Sequence, residues 1–515
     1  MKGTDCRRKH WIPLGLSLVC FFYYMTFLVR YGEMFYRGSD IVANAAYGMT
    51  LFTDVHRAGW AVPKPAHMLI FGAVYWATRD VWFFHLVLIV ATTLTVWAGC
   101  RLILRWCGNA YGCLAFCGFM MALPLTFRTT LAGGPGCLNV MFLILAVLCA
   151  DRIDQKTSRI LAVAFLSLAN LTRPDSWPCT YLIVLLLVGS RLFDRKGPAL
   201  SRSDLWYLVP LAMPLLWVLL DWRVFGDPLY SLNIVKSFGE EYGPVRRARP
   251  WHHGSKVAGY FPLVKSALFH FFSVSSWLSV KTGLLLLLTL AGMDTMFRRE
   301  RRQTLLLACL LFGTLLFYFV YAVAGILFRH GYIYTVLVCV TLIVSTGVGR
   351  LCGLAGHVRP GPVGRVLPAG IACVLLLFLT VGPFQKENLG ETIPILKRRA
   401  AVARRAQPAI ESLVADVRRT PGAPIILTTQ WIPPSWVALG LATGKDTFLV
   451  ERLVAQKRLG RKDPLPDFKG RTVYYCLGRP MRESLRPFLE ALIKRSNKRE
   501  VIYDREGLII LKCTY

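Results

Sequence analysis

The chain has 515 residues, 55% of them hydrophobic, a mean hydropathy of +0.46 and a formal net charge of +32. That hydropathy over that length excludes one soluble domain built around a single core. The basic excess does not point to nucleic acid, because much of it sits in short patches between apolar runs, as in the cytoplasmic loops of a multi-pass membrane protein.

Residues 1–10 hold Lys2, Arg7, Arg8 and Lys9, and the apolar run Trp11 to Val29 follows directly. The run is too long for a signal peptide and no small-x-small cleavage pattern follows it, so it predicts an uncleaved anchor with its amino end inside. Next comes a polar loop, YRGSDIVANAAYGMTLFTDVHRAGWAVPKP, which carries Asp40, Asp54, His56, Arg57 and Lys64. The stretch His67 to Thr78 is too short to cross and predicts a juxtamembrane helix.

Basic residues then orient the apolar runs. Val81 to Gly99 ends at Arg101 and Arg105, Ala110 to Phe127 exits to Arg128, and Cys137 to Ala150 returns to Arg152, Lys156 and Arg159. Ile160 to Leu171 leads to Thr172-Arg173-Pro174-Asp175, Trp177 to Val188 returns to Arg191, Arg195 and Lys196, and Leu205 to Leu220 crosses outward. A long polar segment follows, with the turn Gly226-Asp227-Pro228, the acids Glu240 and Glu241, the basic cluster Arg246, Arg247 and Arg249, and an interfacial stretch from Val257 to Val274. Trp277 to Phe297, Thr304 to Phe328, Ile333 to Val348 and Val366 to Phe384 complete about eleven spans at about 1.5 Å per residue, and leave the C-terminus outside.

The expected organisation is a polytopic α-helical membrane domain over residues 1–384 and a soluble extracytoplasmic α/β domain over residues 385–515. In the latter, a basic helix around Lys397 to Arg419 precedes the strands PIILTT and TVYYCLG, a helix from Met481 to Ser496, and the strands EVIYD and GLIILKC. Most of the 15 cysteines lie in apolar runs and read as small buried hydrophobes. Cys476 and Cys513 fall on strands of the tail, where an oxidising compartment would permit a disulfide between them.

Two readings stand for Asp40. It is placed to act as a general base for an acceptor hydroxyl, or to help hold a divalent metal, and equally to cap the short helix after it. His56, Arg57 and Lys64 suit a phosphate leaving group, or lipid phosphate. Arg173 and the pair Arg329-His330 sit at span ends, where charge is costly and marks a candidate site, although Asp175 would satisfy Arg173 without any ligand. His252-His253 has no acidic or cysteine partner at ligand spacing.

Taken in order, Asp40 in the first loop, Lys64-Pro65, LTRPD (171–175), VFGDPLYSLNIVK (224–236) and FRHGYIY (328–334) resemble the integral-membrane glycosyltransferases of the GT-C fold class, their mannosyl- and arabinofuranosyltransferase-like members in particular. The resemblance implies a GT-C-like membrane domain that takes a sugar from a polyprenyl-phospho-sugar donor, at the plasma membrane, and adds it to a cell-envelope acceptor. It implies Asp40 as catalytic base, and Lys64, Arg57, His56, Arg173, Arg329 and His330 as donor-phosphate ligands. The chain departs from the family's pattern twice: Asp40 is followed by Ile41 rather than a second acid, and AGGPGCLN (132–139) after the third run holds no carboxylate. Asp54, Asp227, Glu240 and Glu241 are then the candidates for a second acid or for acceptor binding. A transporter of lipid-linked substrate and a non-catalytic scaffold are the alternatives from other classes.

Overall fold

The computed structural model describes residues 2–31, 40–49, 62–131, 133–134, 136–150, 155–192, 202–233, 235, 280–323, 333–358, 362–383, 389–429, 434–441, 447–450, 467–478, 485–505 and 507–515. Among the described residues the first fourteen α-helices are α1 (Lys2–Tyr31), α2 (Asp40–Met49), α3 (Pro65–Thr78), α4 (Trp82–Cys107), α5 (Ala110–Ala122), α6 (Pro124–Leu131), α7 (Gly136–Ala150), α8 (Lys156–Thr172), α9 (Ser176–Leu192), α10 (Leu208–Phe225), α11 (Val280–Arg299), α12 (Arg301–Val323), α13 (Tyr334–Val358) and α14 (Pro362–Pro383).

Six helices among the described residues are long and apolar enough to cross a membrane: Trp11–Tyr31, Trp82–Cys107, Leu205–Arg223, Val280–Arg299, Arg301–Tyr321 and Tyr334–Ala355. A seventh is counted if α5 and α6, bent by 62°, form one broken span. The bend has a local cause, since Leu123 precedes Pro124 and is held extended at φ −66° and ψ 128°. The other expected runs fall on the shorter helices α7, α8 and α9, and on α14, whose apolar stretch is Val366–Val381. The predicted juxtamembrane stretch is the 14-residue helix α3, and the interfacial run 257–274 lies outside the described residues.

The chain divides into two compact units. The first, Met1–Gly32, His85–Trp217 and Tyr242–Pro394, holds most of the apolar helices. Its most enclosed span is Tyr334–Ala355, 78% buried, which packs against α5, α11 and α14. Small residues let α11 and α13 meet backbone to backbone: a Cβ on Gly292 would lie 2.0 Å from the Ile343 carbonyl oxygen, and one on Gly347 2.0 Å from that of Leu288. Such close approach is how helices associate where lipid removes the hydrophobic drive between them.

The second unit comprises Glu33–Phe84, Val218–Glu241 and Ile395–Tyr515. It therefore joins the first polar loop to the tail. The tail helix α15 (Ile393–Arg419) leads to β1 (Ile425–Thr428), α16 (Pro434–Leu441), β2 (Thr447–Leu449), β3 (Thr472–Gly478), α17 (Arg486–Lys494), β4 (Lys498–Arg505) and β5 (Leu508–Thr514). The sheet order is β2-β1-β3-β5-β4, with β1 parallel to β2 and β3, and β5 antiparallel to β3 and β4.

Alternation along the strands gives the sheet two apolar faces. On one, Ile426, Tyr474, Cys476, Leu508 and Ile510 pack under Ala406, Ala409, Ile410 and Leu413 of α15. On the other, Ile425, Leu427, Val473, Tyr475 and Cys513 pack under Leu489 of α17. The disulfide that an oxidising compartment would permit between Cys476 and Cys513 is not formed. The register pairs Cys476 with Ile510 and Cys513 with Val473, the two thiols point to opposite faces, and both are free.

Asp416 ties α15 to the sheet, its Oδ2 accepting from Tyr474 Oη at 2.6 Å and Lys512 Nζ at 2.8 Å. Burial pushes the Asp416 carboxyl up, but the hydrogen bonds from Lys512 and Tyr474 outweigh it and hold the group below the usual carboxylate range. Asp416 in turn raises Lys512, and burial with the Asp416 contact pushes Tyr474 up to about 12. A depressed carboxylate contributes stability above its unfolded pKa of about 3.9 and loses it as pH falls through the lower folded value. The raised Lys512 and Tyr474 contribute below about pH 10 and lose that contribution as pH rises through their folded values. The melting temperature should thus fall on both sides of a plateau, and Asp416→Asn should lower the plateau and flatten the acid limb. An acid limb of unchanged steepness in that variant would contradict the assignment.

Candidate active site

The site is built on two helices that start side by side. Pro65 occupies the first turn of α3, where its missing N–H costs nothing, and it forces Lys64 into the extended conformation (φ −129°, ψ 104°) of a helix cap. Lys64 turns its backbone N–H to Asn44 Oδ1 at 2.6 Å, and its ammonium lies 2.9 Å from Asp40 Oδ2. Asn44 Nδ2 donates to the carbonyls of Asp40 (2.7 Å) and Val62 (3.2 Å).

Two turns further on, Gly48 meets the other helix: a Cβ there would lie 2.0 Å from the Met68 carbonyl oxygen, and one on Gly72 2.9 Å from Gly48 Cα. The start of α2 touches the start of α3 and the later turns touch later turns, so the helices run in the same direction. Their amino ends, each carrying the positive pole of a helix, lie together at the Asp40–Lys64 contact. The Lys64 side chain is 8% exposed and that of Asp40 is 45% exposed. The ammonium is thus held inside, and the carboxylate reaches the surface next to it. In the same unit α16 of the tail packs on α2, and Arg418 Nη2 donates to the Gly440 carbonyl at 2.7 Å to fasten α16 to α15.

Arg173 lies in the first unit, on the turn between α8 and α9. Ser176 Oγ closes that turn by donating to the Arg173 and Ala169 carbonyls at 2.6 and 2.9 Å. Arg173 Nε donates to Asp175 Oδ1 at 2.9 Å and Nη2 to Tyr318 Oη at 2.8 Å, while that hydroxyl donates to Asp175 Oδ2 at 2.5 Å. All three side chains are buried. The local Arg–Asp pair weighed from the sequence is present, and Tyr318 of α12 completes it. The turn also engages α7, since Thr172 Oγ1 donates to Asn139 Oδ1 at 3.0 Å.

Asp227 is occupied in its own turn, accepting from Leu229 N–H at 2.9 Å and Asn233 Nδ2 at 2.8 Å. Asp221, which the sequence reading did not single out, accepts from Ser231 N–H and Oγ at 2.8 and 3.0 Å and pins the same turn to α10. Asp54, His56, Arg57, Glu240, Glu241, Arg329 and His330 lie outside the described residues, as does His252-His253.

Of the predicted site residues, the structure brings Asp40 and Lys64 together. Asn44 and Tyr318 went unread. The i, i+4 spacing of Asp40 and Asn44 was the available signal for the first, and nothing in sequence marks a tyrosine 143 positions from its aspartate. Among the described residues no three of His, Cys, Asp and Glu gather where they could hold a metal ion. Among the described residues Asp40 meets the Lys64 ammonium and no group of acids gathers around it, so they do not supply the oxygen ligands of a divalent cation.

No protein-family profile and no curated protein matches the chain. Solved structures do match its fold. The ArnT of Cupriavidus metallidurans, solved bound to undecaprenyl phosphate, aligns over 97% of both chains with a TM-score of 0.51 and 12% identity. The oligosaccharyltransferase AglB of Archaeoglobus fulgidus, solved with an inhibitory peptide and a dolichol-phosphate, aligns over 98% of this chain and 74% of its own, with a TM-score of 0.49 and 10% identity. The fold is that of the GT-C membrane glycosyltransferases.

Asn44→Ala should lower stability by about 1–3 kcal/mol, because it leaves a buried Lys64 N–H without its acceptor. Thermal unfolding in detergent measures this, and an unchanged midpoint would show that Asn44 does not join the two helices.

Proposed function

We propose that the chain is an integral-membrane glycosyltransferase that moves a sugar from a polyprenyl-phosphate-linked donor to a cell-envelope acceptor on the extracytoplasmic face, with Asp40 as general base. The observation that carries the reading is the alignment over 97% of both chains with ArnT, a protein solved bound to undecaprenyl phosphate. The surface-reaching Asp40 carboxylate at the joined ends of α2 and α3 supplies the chemistry.

In this mechanism an acceptor hydroxyl oxygen attacks the anomeric carbon. The bond from that carbon to the phosphate oxygen breaks, its electron pair leaves on the phosphate, and the hydroxyl proton passes to Asp40. Lys64, already on Asp40 Oδ2, holds the carboxylate in place. The pairing of Arg173 with Asp175 and Tyr318 favours a structural part for it, which leaves Arg57, His56, Arg329 and His330 to meet the charge on the departing phosphate. Asp54, Glu240 and Glu241 are the acids assigned to the acceptor. The packing of α16 on α2 supports a part for the tail in presenting that acceptor. The basic residues between spans support a plasma-membrane protein with its amino end cytoplasmic and its tail outside.

Asp40→Asn should reduce transfer from a polyprenyl-phospho-sugar by about 10²-fold or more, with unfolding and detergent behaviour preserved. Undiminished transfer by that variant would remove Asp40 from the mechanism.

A further inference from the structure

Helices α11 and α12 belong to the first unit, both are long and apolar enough to cross a membrane, and only Glu300 separates them. The turn that joins them therefore lies where two spans meet a bilayer surface, and Phe297 and Leu305, 50% and 36% exposed, put apolar side chains beside it. The turn itself is the run RRERRQ, 298–303, with four arginines and one acid. Asp294, one turn earlier on α11, is already shared by Arg298 and Arg350.

Two donors of this turn are buried with no acceptor among the described residues. Gln303 is 1% exposed, and its Oε1 accepts from Trp106 Nε1 at 2.5 Å. An indole N–H only donates, so this contact fixes which end of the amide faces α4 and leaves Gln303 Nε2 without an acceptor. Arg302 Nε, on the adjacent residue, is buried in the same condition. A further cation arrives from the end of α11. Arg299 Nη1 lies 3.4 Å from where a Cβ on Gly108 would be, so its guanidinium reaches the chain two residues past Trp106. Gln303 and Arg299 thus meet the same end of α4. The first N–H groups of α12 have no intrahelical acceptor either, and they carry the positive pole of a 23-residue helix.

A buried donor left unmade costs its full desolvation, so two of them on adjacent residues at a helix start point to a ligand that only accepts. We propose that Arg299, Arg302, Gln303 and the first turn of α12 form a seat for a phosphate oxyanion, supplied by a phospholipid headgroup or by free phosphate. Helix starts bind such groups through backbone N–H, and guanidinium adds charge-assisted donors to the remaining oxygens. Phospholipid holds phosphate at the level of this turn at high local density. The proposal stands apart from the transferase reading and needs no catalytic activity for its test.

The test is hydrogen exchange of the full chain in neutral detergent, with dioctanoyl phosphatidylglycerol, inorganic phosphate or uncharged dioctanoylglycerol added and chloride holding the ionic strength constant. Peptides spanning 299–305 should exchange at least about threefold more slowly with a phosphate-bearing ligand, because N–H groups that gain an acceptor are protected. Slowing by phosphatidylglycerol alone supports the seat with a lipid headgroup as its occupant, and slowing by inorganic phosphate as well supports it with soluble phosphate. The slowing should vanish in Arg302→Met, with α13 exchange unchanged as the control for folding. The comparison of ligands on the unaltered chain decides the matter even if that variant does not fold. Exchange unchanged by both phosphate ligands would leave the donors to water and overturn the proposal. Equal slowing by dioctanoylglycerol, or slowing that persists in the folded variant, would overturn it too.

Discussion

A lysine side chain that is only 8% exposed needs a polar partner for its ammonium, and Asp40 Oδ2 supplies one at 2.9 Å. Much of the local architecture serves this contact. Pro65 fixes the backbone of Lys64, Asn44 bridges the two helix starts, and Gly48 with Gly72 lets α2 and α3 lie close enough for the charges to meet. The carboxylate remains half-exposed, so the contact orients it without hiding it. A general base needs both properties, a fixed position and access to a substrate hydroxyl.

The same constraint is met differently elsewhere. Arg173, Asp175 and Tyr318 satisfy one another inside the membrane-helix unit, and Arg350 and Arg298 share Asp294 near the ends of α13 and α11. Of the two only the Arg173 network is buried, and replacing Arg173 or Asp175 leaves the other charge uncompensated there, at a cost of about 3–5 kcal/mol. Arg173 and Lys64 looked alike as sequence candidates because each is a cation beside a proline near an apolar run. What separates them is the exposure of the acid: Asp175 is 2% exposed, and the side chain of Asp40 is 45% exposed.

How far the sequence could be read follows from which interactions are local. Apolar runs specify helices by their own composition, and β3 was legible to the residue because TVYYCLG alternates between two covered faces. The juxtamembrane helix was legible from His67 to Thr78, and the structure starts it two residues earlier at Pro65. The number of spans was not, because among the described residues the apolar stretches Gly136–Ala150, Ser176–Gly189 and Val366–Val381 are shorter than a span needs on its own. Whether Cys476 and Cys513 pair was not legible because it depends on register, on how β3 and β5 align across the 29 residues between them. Asn44 was passed over because an asparagine among alanines reads as a helix interior until its partner, 20 residues away, is known.

If transfer depends on Asp40 as held by Lys64, the two residues act as one unit. The most direct measurement is a double-mutant cycle on turnover with a polyprenyl-phospho-sugar, using Asp40→Asn, Lys64→Gln and the two together. The account predicts that the double variant is no slower than Asp40→Asn alone, because the lysine acts through the carboxylate. Losses that multiply would show two independent contributions, and would contradict a catalytic carboxylate positioned by its buried ammonium.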